Sequence, residues 1–118
     1  MKPQIHFTLD FETLSQDVTN CAVINCAYFK FDWNRFTTEP YTFKELTESI
    51  KFDKLNIGDQ VKRFHFKTSE STMNFWRGLP QNVQAQLKPS DNDITVETHL
   101  KNINEYLNDT KIYRWWIS

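Results

Sequence analysis

Nothing in the chain restricts its folding more than the stretch from Ile5 to Leu14, which reads Ile-His-Phe-Thr-Leu-Asp-Phe-Glu-Thr-Leu. Ile5, Phe7 and Leu9 alternate with His6, Thr8 and Asp10, and successive side chains of a strand point to opposite faces of its sheet. One face of this strand enters a core. The other carries Asp10 and, if the strand persists that far, Glu12. Two carboxylates held side by side repel each other unless a cation lies between them, and oxygen donors of this kind suit Mg²⁺ or Mn²⁺. The same spacing also fits a solvated strand end whose acids make ordinary turn hydrogen bonds, so the motif needs context.

A polar interval, Ser15 to Asn20, separates this strand from a second run, Cys21 to Phe31, rich in β-branched and aromatic residues. Its apolar character on both parities suits an inner strand, antiparallel to the first. The long connection leaves Ser15 to Thr19 as a loop beside the carboxylates. Cys21 and Cys26 are an odd number of positions apart, which argues against a disulfide between them and against a compact zinc motif.

Asp32 to Pro40 reads as a connector, a third strand is expected over part of Thr47 to Phe52 although Lys44 to Ser49 could also support a helical turn, and Val61 to Lys67 is expected as a short extended segment. His65 is expected on the sheet surface. The second half carries helical signals. Ser69 or Ser71 can cap a helix bearing Met73, Trp76 and Leu79, with Trp76 in the core, although the Phe75–Trp76 segment could also stack on bases as in single-strand binders. Pro80 ends that helix and opens another that carries Val83 and Leu87. Leu100, Ile103, Asn104 and Leu107 form a stripe on a helix over roughly Thr95 to Leu107, with His99 at its surface. Lys111 to Ser118 begins a further strand, whose Trp115 and Trp116 are expected to pair with this sheet, another subunit or a missing partner.

The 118 residues suffice for one domain, 1–118, with a modest core built largely from ten Phe, four Tyr and four Trp. A formal net charge of −1 leaves no global positive field to draw nucleic acid, although a local groove can still bind phosphates. Lys62, Arg63 and Lys67 are candidate phosphate contacts, or simply a solvated face. No run approaches the length needed to cross a bilayer, so a soluble intracellular protein is the expectation.

Residues 7–31, FTLDFETLSQDVTNCAVINCAYFKF, together with the later STMNFWRGLPQNVQAQLKPSDNDI, resemble the N-terminal half of the DexA-type exonucleases of T-even phages. Those belong to the DEDD 3'-to-5' exonuclease superfamily. The resemblance implies an α/β (α+β) mixed sheet, an incomplete RNase H-like exonuclease fold with flanking helices. It also implies that Asp10 and Glu12 are catalytic ligands of a two-ion Mg²⁺ or Mn²⁺ site, with ions about 4 Å apart in such enzymes. Thr13, through its backbone, and Leu14, through its side chain, would meet the terminal nucleotide. The implied substrate is a single-stranded DNA 3' end, and the implied compartment is the cytoplasm of an infected bacterial host cell.

The pattern of that family also needs a third and a fourth carboxylate. Asp91 and Asp93 are poor substitutes, since their surroundings read as a helix-start loop. The chain alone is therefore expected to be weak or inactive, with the remaining ligands supplied by a C-terminal exonuclease half. The alternative is a truncated, non-catalytic relative that acts as a homodimer, associating through the Trp115–Trp116 strand, or as a phage factor that binds a host protein.

Overall fold

The computed structural model describes residues 2–118. Its frame is a mixed α/β fold, a four-stranded sheet with flanking helices, in the strand order β3-β2-β1-β4. Strand β1 (Ile5–Thr13) pairs antiparallel with β2 (Val23–Asp32), and β2 pairs antiparallel with β3 (Lys51–Lys54). Strand β4 (Arg114–Ile117) lies parallel to β1 at the opposite edge.

The alternation in β1 becomes a division of labour between its faces. Phe7 and Leu9 join Cys26, Tyr28 and Ile103 in one core cluster, with Phe11, Tyr106, Leu107 and Ile112 packed around it. Helix α6 (Val96–Tyr106) covers this face. Burial pushes the Cys26 thiol up to about 12, so it stays protonated, and both cysteines are free. The other face is not uniformly wet. His6 is 4% exposed, stacked on Trp33 with ring centroids 4.8 Å apart, and Trp116 Nε1 donates to its Nδ1 at 2.9 Å. An aromatic cap thus covers the start of that face and leaves the far end, with Asp10 and Glu12, open.

Two segments depart from the strand expectations. Thr47 to Phe52 is divided between α2 (Phe43–Ser49) and β3, so the third strand starts later than its alternation suggests. The reason is a capping box. The Thr42 hydroxyl accepts from the Glu45 N–H at 3.1 Å, and the Glu45 carboxylate accepts from the Thr42 N–H at 3.2 Å. The region expected to be extended around Val61 is mostly helix α3 (Ile57–Phe64), capped by Asn56 and closed by His65 in the left-handed conformation at φ 57°. His65 is exposed, though on a helix end rather than a sheet. Gln60, fully buried on α3, exchanges hydrogen bonds with the Val23 backbone, donating to its carbonyl and accepting from its N–H, both at 2.8 Å. These bonds staple the helix to the start of β2. The connector after β2 also contains a single helical turn, α1 (Arg35–Thr38).

Ser69 caps α4 (Glu70–Arg77), and Pro80 leads into a short turn, α5 (Gln81–Gln84), continued as a 3₁₀ turn to Leu87. Trp76, 6% exposed, joins Leu14, Ala22 and Ile24 in a second core cluster, lined by Met73, Leu79, Val83 and Leu87. The α6 stripe is rotated from its expected position. Ile103 and His99 are buried, whereas Leu100 is 54% exposed and Asn104 also faces outward.

His99, expected at the surface, is instead 3% exposed. Its Nδ1–H donates to Asp53 Oδ2 at 2.8 Å, and the same carboxylate accepts from Tyr28 Oη at 3.0 Å and Asn102 Nδ2 at 3.4 Å. The partner that draws His99 inward lies on β3, 46 positions away in sequence. No helix among the described residues is long and apolar enough to cross a membrane.

Candidate metal and nucleic-acid site

Asp10 and Glu12 both project from the open face of β1 and are exposed. Their cross-strand neighbours on β2 are Ala27 and Asn25, and those on β3 are Phe52 and Lys54. Beyond Glu12 the ladder slips by one residue: Glu12 pairs with Asn25, Thr13 with Val23, and Ile24 has no partner on β1. That bulge turns the chain out of the sheet. The Leu14 N–H then donates to the Ala22 carbonyl at 2.9 Å, and the Leu14 carbonyl accepts from the Ser69 N–H at 2.7 Å. The acid-bearing strand end is thereby tied to the start of α4.

The result is two adjoining clefts that share Glu12, Phe75 and Trp76. One, about 410 Å³, is lined by Asp10, Glu12, Asn25, Ala27, Phe52 and Phe75, and is completed by Trp76, Leu79, Val83 and Gln86. The other, about 330 Å³, runs past Glu12 and Thr13 to Ser15, Gln16, Ser71 and Thr72. Asn25 is buried, and its Nδ2 donates to Gln86 Oε1, which holds the 3₁₀ turn against the sheet.

Within this site Asp10 makes one side-chain contact, accepting from Ser118 Oγ at 3.4 Å. Neither acid forms an ion pair among the described residues, so neither is neutralised by a cationic side chain. Side by side on one face, they offer oxygen donors suited to a hard divalent ion. The set is partial: among the described residues no group of three or more His, Cys, Asp or Glu side chains could hold a metal ion.

The remaining predicted residues scatter. Thr13 lines the second cleft, its Oγ1 donating to the Ser15 carbonyl at 2.8 Å. Leu14 is 2% exposed, and its side chain belongs to the second core cluster. Lys62, Arg63 and Lys67 line neither cleft. Arg63 is engaged by two carboxylates, Asp59 Oδ2 at 2.6 Å and Glu97 Oε2 at 2.9 Å, and Asp59 holds the guanidinium above its ordinary pKa. Asp93 is paired with Lys54 at 2.7 Å. Sequence reasoning misses Phe52 as a site residue and offers Phe75 only within a Phe75–Trp76 segment that could stack on bases. They come from separate elements, and only the assembled fold brings them to the same cleft.

A curated protein named exodeoxyribonuclease, from Enterobacteria phage T4, is 30% identical to this chain over 112 residues, covering 92% of the chain and 46% of that protein. The chain thus spans about half the length of the relative it matches, and is distantly similar to a phage nuclease along nearly all of its own length. No protein-family model matches it, and neither does any solved structure.

Proposed function

We propose that residues 1–118 are the N-terminal portion of an RNase H-like, metal-dependent 3'-to-5' DNA exonuclease, with Asp10 and Glu12 as its first two ligands. The observation that carries this reading is the pair of unneutralised carboxylates on one open strand face, lining a shared cleft. It occurs in a chain with a phage exodeoxyribonuclease among its relatives.

Asp10 and Glu12 would hold Mg²⁺ or Mn²⁺ from the sheet side, with Asp10 as the candidate ligand shared between the ions and Glu12 as the candidate that orients the attacking water. Bound there, a pair of divalent ions supplies a more nucleophilic water and stabilises the charge that develops on the leaving oxygen. Thr13, through its backbone, borders the terminal nucleotide, and Leu14 supports that segment from the core. Lys62, Arg63 and Lys67 contact phosphates only in the more distant part of a strand. The substrate is a single-stranded DNA 3' end, and the compartment is the cytoplasm of an infected bacterium.

Two fixed carboxylates orient a pair of cations poorly, so the further ligands come from a separate C-terminal segment that joins the sheet. Strand β4 suits such a junction. It is an edge strand, Trp115 and Trp116 are 51% and 42% exposed, and unpaired edges recruit further strands. The same exposed edge favours a second reading, a non-catalytic relative that self-associates or binds a host protein through β4.

An assay on a 5'-labelled single-stranded oligonucleotide separates the two. The chain alone shows negligible Mg²⁺-dependent cleavage, and adding the adjacent C-terminal polypeptide restores stepwise shortening from the 3' end. Vigorous cleavage by the pure chain contradicts the incomplete-site account, and absence of rescue favours the binding protein.

A further inference from the structure

We infer that two adjoining apolar clefts on the α6 side of the sheet form one trough, and that an uncharged apolar segment of the C-terminal portion covers it, donating hydrogen bonds to His99 and Asn20. The inference rests on the reading of residues 1–118 as part of a longer enzyme, and adds a second contact, on the face of the sheet rather than at its β4 edge.

The two clefts, about 470 Å³ and 600 Å³, share Phe11, Val23, Phe66 and Ile117, and so run into one another. Leu100 and Ile103 of α6 flank the first on one side, and Trp115 and Ile117 of β4 border it on the other. Side chains that a core would bury stand bare along this rim, Leu100 at 54% exposure and Ile117 at 70%. Among the described residues no Asp, Glu, Lys or Arg lines either cleft. A charged group entering the trough would lose its water without gaining a counter-charge, whereas an apolar one gains by leaving water. The chemistry therefore selects an occupant that is uncharged and apolar where it touches.

The polar atoms narrow the choice. His99 is almost fully buried and lines the first cleft. Its Nδ1 is taken by Asp53, which lies outside that cleft, whereas its Nε2 has no hydrogen-bond partner among the described residues. Because Nδ1 carries the proton that Asp53 accepts, the neutral ring presents Nε2 as an acceptor. Asn20 Oδ1, on a residue lining the second cleft, is likewise a buried acceptor without a donor. Buried polar groups are nearly always paired, so each calls for a donor from outside these residues. A surface that is apolar, uncharged and short of two donors fits the inner face of a further layer of the same domain, and not a nucleic acid, whose phosphates bring charge. The phage relative has the length for such a layer, since the match spans only 46% of it.

The test titrates the 118-residue chain with the adjacent C-terminal polypeptide and follows binding by calorimetry. Leu100→Glu, which sets a charge at the rim, is expected to weaken the complex about a hundredfold, and Leu100→Met, of similar volume, to preserve it. Leu100 is exposed and lies on α6, so the glutamate variant alone melts like wild type and leaves the β4 edge intact. In ¹⁵N spectra of the histidine rings, the Nε2 resonance of His99 is expected to move upfield in the complex, as an acceptor nitrogen does on gaining a donor. Equal affinity of Leu100→Glu and wild type, an unmoved Nε2 resonance, or no complex with the wild-type chain overturns the inference. So does a chain that is dimeric as wild type and monomeric as Leu100→Glu, because a second copy then covers the trough. Mg²⁺-dependent cleavage in the same mixtures scores the nuclease reading separately. A complex that forms and cleaves despite Leu100→Glu refutes the trough alone, and a Leu100-dependent complex that never cleaves supports the trough and refutes the nuclease.

Discussion

Replacing Asp10 by alanine in the reconstituted nuclease is expected to lower Mg²⁺-dependent cleavage about a thousandfold while leaving the unfolding temperature within a degree or two. The size follows from the work asked of the carboxylate. Charge stabilisation by a metal centre is worth several kcal/mol in the transition state, and each 1.36 kcal/mol is about tenfold in rate. The near absence of a stability cost follows from the surroundings. Asp10 is exposed, pairs with no cationic side chain among the described residues, and accepts only the 3.4 Å contact from Ser118 Oγ. Its removal also relieves repulsion from Glu12. Steady-state rates and thermal melts of the same preparations check both halves. Unchanged turnover removes Asp10 from the metal site, and a large fall in melting temperature shows that the residue supports the fold instead.

The largest stability effect is expected away from the acids, at Asp53. Its carboxylate joins three elements, accepting from Tyr28 on β2, from His99 and Asn102 on α6, and itself lying on β3. The Tyr28 and His99 side chains are almost fully buried, at 4% and 3% exposure. Burial and the hydrogen bond to Asp53 also raise the Tyr28 pKa well above the ordinary phenol range, so at neutral pH the Tyr28 hydroxyl is protonated and donates to Asp53. Asp53→Ala strands these donors where water does not replace the acceptor. A buried unsatisfied group costs about 1–3 kcal/mol, so the variant should lose about 4 kcal/mol, against a total stability of about 5–15 kcal/mol for a domain. Tyr28→Phe removes one donor together with its need for a partner and should cost about 1 kcal/mol. Urea denaturation distinguishes them. Equal midpoints for Asp53→Ala and wild type contradict the network's structural role.

The sequence and the structure agree best where one local pattern determines the outcome. Ile5 to Thr13 is legible as a strand because its period-two alternation has no competing cap, and the aromatic and β-branched run before Phe31 favours its antiparallel partner. Ser69 and Pro80 mark the limits of α4 by ordinary capping chemistry. Agreement fails where two local signals compete. The alternation within Tyr41 to Phe52 is real, but the Thr42–Glu45 box nucleates a helix first, and β3 is confined to the residues after Ile50. Around Val61, β-branched and aromatic residues suggest extension, yet Asn56 caps a helix that Gln60 fastens to β2.

Long-range pairings are the harder class. Nothing near His99 in sequence signals burial, because the carboxylate that draws it inward lies on β3. The acids are visible in the sequence as a pair on one face. Their aromatic neighbours are less so, since Phe52 reads as an ordinary strand residue, and Phe75 stands in a segment that can stack on bases but carries no local sign of lying beside the acids. Only the bulge after Glu12 and the docking of Leu14 beside Ser69 bring α4 to the strand end. The basic cluster shows the reverse: Lys62, Arg63 and Lys67 stand close in sequence, but Arg63 is occupied by Asp59 and Glu97 and none of the three faces the clefts.

The central claim, that the tip of β1 collects a divalent cation, is open to direct measurement on the chain itself. Paramagnetic Mn²⁺ added in substoichiometric amounts broadens the amide resonances of nearby residues in a ¹⁵N spectrum. The account predicts selective loss of signals from residues 9–14 and from 25–27 across the ladder, abolished when Asp10 and Glu12 are both replaced by alanine. Broadening centred on another acidic stretch, with residues 9–14 untouched, would contradict it.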